Sequence, residues 1–226
     1  MVFAATLIVL GVIGFITGNY APIWQPVPFG APMVYACSAI SVATGIGLIV
    51  PGAAAHASWL LLGALVVSVV IFRGRDLVTG PADFGSWDGI AETAVPIAAA
   101  WILSTGRGMR IARTLYGLAL LPFGLAHFIY LDNTTVLIPS WIPAHLALAY
   151  FTGAAFIAAG LAIITGVWGR LAAALSVVQI GGFTVLVWPP LALAGTLTAF
   201  QWNEFGTSAL LTAAAWVVAA SYRDRR

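Results

Sequence analysis

The sequence predicts an all-α integral membrane protein of eight transmembrane helices, arranged as two parallel four-helix repeats. Three observations predict it. The 226 residues are 62% hydrophobic and only 7% charged, with a mean hydropathy of +1.03, well outside the range of water-soluble domains. A 23.5 kDa chain is too small to hide that much apolar surface from water. Apolar stretches long enough to cross about 30 Å of hydrocarbon recur along the chain, and the chain repeats itself at a fixed interval of 115 residues.

The eight apolar stretches are residues 2–18, 31–50, 53–72, 88–103, 111–130, 144–165, 171–188 and 205–221. The first has no basic residue before it and no A-x-A-like cleavage site after it, so it reads as a retained helix rather than a signal peptide. The fourth is short and carries Glu92 and Pro96. Alanines and glycines at fourfold spacing mark faces for close helix contact: Gly14 with Gly18, Ala39 with Ala43, and Ala154 with Ala158 and Ala162. They predict that the second and sixth segments lie at the centre of the bundle.

The repeat needs no gap between Pro28 and Trp101. A shift of 115 residues lays Pro28 on Pro143, Tyr35 on Tyr150, Gly45 on Gly160, Gly80 on Gly195 and Trp87 on Trp202. It also lays Ala98, Ala99, Ala100 and Trp101 on Ala213, Ala214, Ala215 and Trp216. The halves are residues 1–106 and 107–226. Each holds four segments, an even number, so both cross the membrane in the same sense.

Basic residues set the orientation, because cytoplasmic loops carry the excess of arginine and lysine. Placing both termini in the cytoplasm puts Arg107, Arg110, Arg113, Arg170, Arg223, Arg225 and Arg226 inside, and only Arg73 and Arg75 outside. Asp76, Asp83, Asp88, Asp132 and Glu204 fall outside, and Asp224 inside. An inner (cell) membrane location follows as the expectation.

Composition removes several chemistries. All nine basic residues are arginine, so a retinal Schiff base, a lysine nucleophile and a Walker phosphate loop are excluded. The single cysteine, Cys37, rules out an intrachain disulfide and a C-x-x-C relay. The thin spread of arginines gives no footprint for nucleic acid.

Polar residues nevertheless converge on the outer segment ends. Asp88 and Glu92 sit one helical turn apart on a single face, and an ionisable residue inside a span marks a functional site. Glu92 is the leading catalytic candidate, with Asp88 and His127. The alternative is that these acids neutralise Arg73 or Arg75, or that Asp88 and Glu204 favour helix N-termini through the macrodipole. His127 ends one segment and His145 starts the next, so both can flank one pocket. No spacing fixes them as metal ligands, and no metal is expected. His56 lies near the inner side, remote from the others. Trp24, Trp87, Trp141, Trp188 and Trp202 fall at the outer boundary, either as an aromatic belt at headgroup level or as the walls of a mouth for a flat lipophilic ligand.

The second half contains Gly124-Leu-Ala-His127-Phe128-Ile-Tyr130, then Pro139-Ser-Trp141-Ile-Pro143-Ala-His145, Tyr150-Phe-Thr-Gly153 and Ala158-Ala-Gly160. This resembles the DoxX-like family of small four-helix membrane proteins, with its H-F, P-x-W-x-P, Y-x-x-G and A-x-G patterns. The first half keeps Gln25-Pro26-Val27-Pro28, Tyr35 and Gly45 but has no histidine in its first segment, so the chain resembles a tandem member with one degenerate copy. Members often place a basic residue where the third helix emerges. The first half supplies Arg73 and Arg75 there, and the second has Val187-Trp188-Pro189-Pro190.

The resemblance implies a role beside quinone in a membrane redox system. In that reading Glu92, Asp88 and His127 handle protons, while His145, Arg73, Trp87, Trp141, Trp202 and Glu204 bind the ligand. With no paired cysteines and no recognisable flavin or haem motif, electrons would need a partner subunit, and no covalent cofactor is expected. Two other readings stay open: a non-catalytic anchor or scaffold for a partner protein, and a carrier or channel for a small lipophilic molecule. An oligomer is compatible with all three.

Overall fold

Helix ends in this chain are set by local chemistry that recurs from element to element. α1 (Val2–Thr17) stops at Gly18, whose φ of 64° lets its N–H reach the Gly14 carbonyl. α2 (Ala31–Ile49) has a proline in its first turn, where a missing N–H breaks no bond. α3 (Ala54–Ser68) continues through a π turn (Val69–Arg73) into α4 (Gly74–Thr79), so Ala54–Thr79 forms one long helical run. α5 (Phe84–Thr105) starts where the Asp83 carboxylate accepts from the Gly85 N–H. α6 (Met109–Ile129), the short α7 (Leu131–Leu137), α8 (His145–Thr165) and α9 (Gly169–Leu193) follow, then α10 (Ala199–Ala220). A short 3-10 turn, Pro22–Trp24, lies between α1 and α2.

The computed structural model describes residues 1–25 and 30–223. The pairing of Pro28 with Pro143, the Pro26-Val27-Pro28 part of the first copy's motif, and Asp224, Arg225 and Arg226 on the inner side lie outside the described residues. Among the described residues every regular element is helical. Five helices, α2, the α3–α4 run, α6, α8 and α9, are long and apolar enough to cross a membrane. α1 is apolar too, at 16 residues. The outward positions of these helices carry large apolar side chains, such as Val67 at 52% and Val178 at 69% exposure, a surface suited to lipid contact.

The long helices close a ring in which α1, α2, α3, α5, α6, α8, α9 and α10 each pack on the next and α10 returns to α1. α5 and α10 also pack on each other across the middle. α3 and α9 begin 115 residues apart, and so do α5 and α10. Since α5 and α10 are enclosed by protein rather than lipid, their inner faces are alanine-rich: Ala98, Ala99 and Ala100 in one, Ala213, Ala214 and Ala215 in the other, all buried.

That arrangement corrects the expectation that the second and sixth segments are central. α2 and α8 are peripheral, and Ala39, Ala43, Ala154 and Ala158 are exposed. Glycines make the close contacts instead. A Cβ on Gly124 would come within 2.6 Å of the Gly153 carbonyl, one on Gly160 within 2.6 Å of Gly117, and one on Gly11 within 2.5 Å of the Ser38 carbonyl. Alanine is tolerated by lipid; backbone contact this close requires the missing Cβ.

Several boundaries differ from the hydropathy reading, among them the third segment, which runs on to Thr79 rather than ending at residue 72. α5 starts four residues before residue 88 because Asp83 caps it. α10 starts at Ala199, where Thr198 and Gln201 form a reciprocal capping box. α9 runs past Trp188 through Pro189 and Pro190, which sit in its closing turns.

Candidate functional site

A cavity of about 510 Å³ opens between the second half and α5, at the end of the bundle where α6 and α9 finish and α5 and α10 begin. α5 contributes Asp88 and Glu92, a turn apart and facing the same way because helical residues at i and i+4 share a face. α10 contributes Glu204, Thr207 and Ser208, and α6 contributes Phe123 and His127. Thr152 and Phe156 of α8, and Gln179, Phe183 and Trp188 of α9, also line it.

His127 reaches this position because α8 yields space for it. A Cβ on Gly153 would lie 2.8 Å from the His127 Cβ, so only glycine lets the helices meet at that level. The imidazole rests against Phe156 at 5.4 Å between centroids. Its Nδ1 donates to the Phe123 carbonyl at 2.7 Å; since a carbonyl only accepts, Nδ1 carries a proton and Nε2 is left to face a ligand.

The carboxylates are less fully engaged. Glu92 interacts electrostatically with Glu204, Asp88 and Arg73. Asp88 Oδ1 is buried without a hydrogen-bond partner, as are Thr207 Oγ1 and Trp188 Nε1. Buried polar atoms are paired in the great majority of folded structures, so three orphans along one cavity mark a place where a ligand's polar groups fit. The Gln179 amide nitrogen is committed to the Thr152 carbonyl at 2.8 Å. Deeper, Thr184, Ser208 and Thr212 share hydroxyl hydrogen bonds that hold α9 to α10.

Aromatic rings make up much of the rest of the lining, with Ala126, Leu137, Ile180 and Leu211 between them. Phe123 and Phe156 meet edge to face at 6.1 Å, as do Phe183 and Trp188 at 6.3 Å, and Phe205 stacks on Trp188 at 6.1 Å. The cavity thus combines a few polar groups, most of them on α5, α6 and α10, with aromatic and aliphatic walls, the usual pattern of a small-molecule site.

Of the site residues expected from sequence, Asp88, Glu92, His127 and Glu204 line this cavity. Arg73 lies behind it. It is 7% exposed, its Nη2 donates to the Pro22 carbonyl, and its Nη1 occupies the space a Cβ on Gly89 would need. Trp202 is 38% exposed, tilted against Phe205. Trp87 and Trp141 are exposed, the first donating its indole N–H to the Pro81 carbonyl. His145 opens α8, half-buried, and is not among the lining residues. Trp24 and Trp188, expected at the outer boundary as belt residues or as walls of a ligand mouth, are buried at 3% and 6%, and Trp188 lines the cavity. Among the described residues no group of three or more His, Cys, Asp or Glu is arranged to hold a metal ion.

Sequence reasoning missed Gln179, Thr207 and the phenylalanine walls. Gln179 carried a usable signal, as an amide in the middle of an apolar span. Thr207 carried one too, as the residue 115 positions after Glu92. The phenylalanines carried none, because an inward ring and a lipid-facing ring read alike.

No family model, curated protein or solved structure matches the chain.

Proposed function

We propose that this chain is a DoxX-like protein of the inner membrane, with eight spans in two parallel four-helix repeats and both termini cytoplasmic, whose second repeat binds a quinol-type ligand in a redox system shared with a partner subunit. The repeat reading is supported by helix starts 115 residues apart and by the order of helix neighbours, which is the same in each half. The family reading rests on the motifs around His127, Trp141 and Gly153.

The observation that carries the ligand is the union, in one cavity, of aromatic walls with carboxylates and an imidazole. A flat ring fits the walls by stacking and edge contacts. A quinol hydroxyl donates to His127 Nε2, and a second polar group meets Asp88 or Glu92. Oxidation of a quinol releases two protons and two electrons; His127 and Glu92 are placed to take the protons, and the electrons are assigned to the partner.

Organic extraction of the purified, detergent-solubilised protein is expected to return a quinone, and quinol titration is expected to perturb Trp188 fluorescence. Glu92→Gln should weaken quinol binding about tenfold, the value of one hydrogen bond to a charged group, with thermal unfolding unchanged. His145→Ala should leave binding unchanged. Unaltered binding in both Glu92→Gln and His127→Ala would overturn the proposal.

A further inference from the structure

The other end of the second half holds a separate pocket of about 460 Å³, where α6 and α9 begin and α8 and α10 finish. Arg110, Arg113 and Arg170 line it with Trp168 and Tyr222, and no acidic side chain appears among the described lining residues. Its charge is opposite to that of the cavity described above.

Arg113 is a fixed part of the pocket wall. Its Nε donates to Ser221 Oγ at 2.9 Å, its Nη2 donates to the Ser221 carbonyl, and its guanidinium lies 4.0 Å over the Tyr222 ring. Arg110 and Arg170 are different: both are exposed, and each lies in the first turn of its helix. The pocket therefore has one anchored cation and two guanidinium groups able to close on a ligand.

Position along the bundle indicates how a ligand arrives. Trp168, 79% exposed, stands at the α8–α9 turn beside Val167 at 63% and Leu171 at 55% exposure. An indole flanked by exposed aliphatics is typical of the headgroup level of a membrane, so the arginines sit where headgroups end and acyl chains begin. The matching end of the first half lacks this chemistry. Its opening is lined by groups such as Met1, Leu48 and Leu103, and the residue 115 positions before Arg170 is Ala55.

We infer that this pocket binds a phosphate ester, presented as the headgroup of an anionic phospholipid and clasped between Arg110 and Arg170. Guanidinium groups match phosphate oxygens in paired hydrogen bonds, and basic pockets between membrane helices recognise such headgroups.

The test uses the full chain in nanodiscs of phosphatidylcholine containing a small fraction of phosphatidylglycerol, with lipid retention read by native mass spectrometry. Wild type is expected to retain phosphatidylglycerol in preference to phosphatidylcholine, less so as salt is raised. Arg110→Gln with Arg170→Gln should lower that retention about thirtyfold, roughly fivefold per arginine. Arg110→Lys with Arg170→Lys should keep part of it and serves, with quinol binding at the other end, to show that the fold is intact. A second arm titrates inorganic phosphate into discs of phosphatidylcholine alone. Saturable, arginine-dependent phosphate binding there without phosphatidylglycerol retention would keep the anion site and assign it to a soluble phosphate ester. Equal lipid retention in wild type and the glutamine variant, or no arginine-dependent binding in either arm, overturns the inference.

Discussion

Residues 1–106 and 107–226 show the same order of helix neighbours and differ in whether the space between their helices is filled. In the second half the space between α6, α8, α9 and α10 is a cavity of about 510 Å³. In the first, the corresponding space is occupied by the buried turn Pro22–Trp24. Each part of that plug is tied down. Arg73 donates to the Pro22 carbonyl, Thr93 Oγ1 to the Ile23 carbonyl at 3.2 Å, and the Trp24 indole N–H to Ser41 Oγ at 3.0 Å. No room for a water molecule remains beside Trp24.

Residues 115 positions apart account for the difference. Arg73 corresponds to Trp188, and Gly89 to Glu204. The first half needs glycine at 89 because Arg73 lies against it; the second, with Trp188 instead of an arginine, has space for an acid that faces the cavity. The helix crossing tells the same story. In α1 and α2 the small partner is Gly14, against the Ser38 hydroxyl, whereas in α6 and α8 it is Gly153, against the His127 Cβ. One half gives its space to a serine and the other to a histidine. A similar order of helices thus leaves a plug in one half and a pocket beside the other, through a few side chains and one short connecting segment.

The largest expected effect comes from pulling the plug. Trp24→Ala removes a buried indole and should destabilise the protein by about 3–5 kcal/mol, read as a fall in the thermal midpoint in detergent. The counterpart substitution Phe156→Ala removes a wall of an already open cavity and should cost less. Equal losses would show that the first half is not plugged by packing.

Next, Gly153→Val drives a side chain into His127 and the Gly124 carbonyl and should cost roughly 1–3 kcal/mol. It should also displace the imidazole and abolish quinol binding. An unaffected thermal midpoint would mean that α6 and α8 do not cross this closely in the membrane.

A smaller effect sharpens the contrast. Thr93→Val deletes the hydroxyl that holds the Ile23 carbonyl and should cost about 1 kcal/mol. The residue 115 positions later is Ser208, which lines the cavity. Ser208→Ala should register in ligand affinity more than Thr93→Val does; the reverse ranking would break the assignment of plug and pocket. The smallest effect is expected at Trp141, 71% exposed, where Trp141→Phe should change stability by less than about 0.5 kcal/mol.

Much of the candidate cavity was legible one residue at a time. Asp88, Glu92, Glu204 and His127 stand out because charged or titratable groups near hydrocarbon demand a reason. That they line one cavity, while His145 and Trp141 lie outside it, was not legible. Adjacency on a segment end establishes depth in the membrane but not azimuth. Trp24 shows the same limit from the other side, since a tryptophan near a helix end reads as an interfacial ring whether or not a neighbouring helix covers it.

The sequence by itself determined the environment and the helical elements. Its hydropathy demands lipid, and helices satisfy their own backbone groups there. Its 115-residue register already contained the matching starts of α3 and α9 and of α5 and α10, the latter pair fixed by the local caps Asp83 and Thr198. Only the tertiary structure decided which helices are central, which glycines carry the crossings, and that one half is filled while the other is open. Those outcomes depend on contacts between residues far apart in the chain, Arg73 with Pro22 or Gly124 with Gly153, where a single Cβ decides whether two helices meet. Periodicity along one helix holds no record of the side chain that will face it.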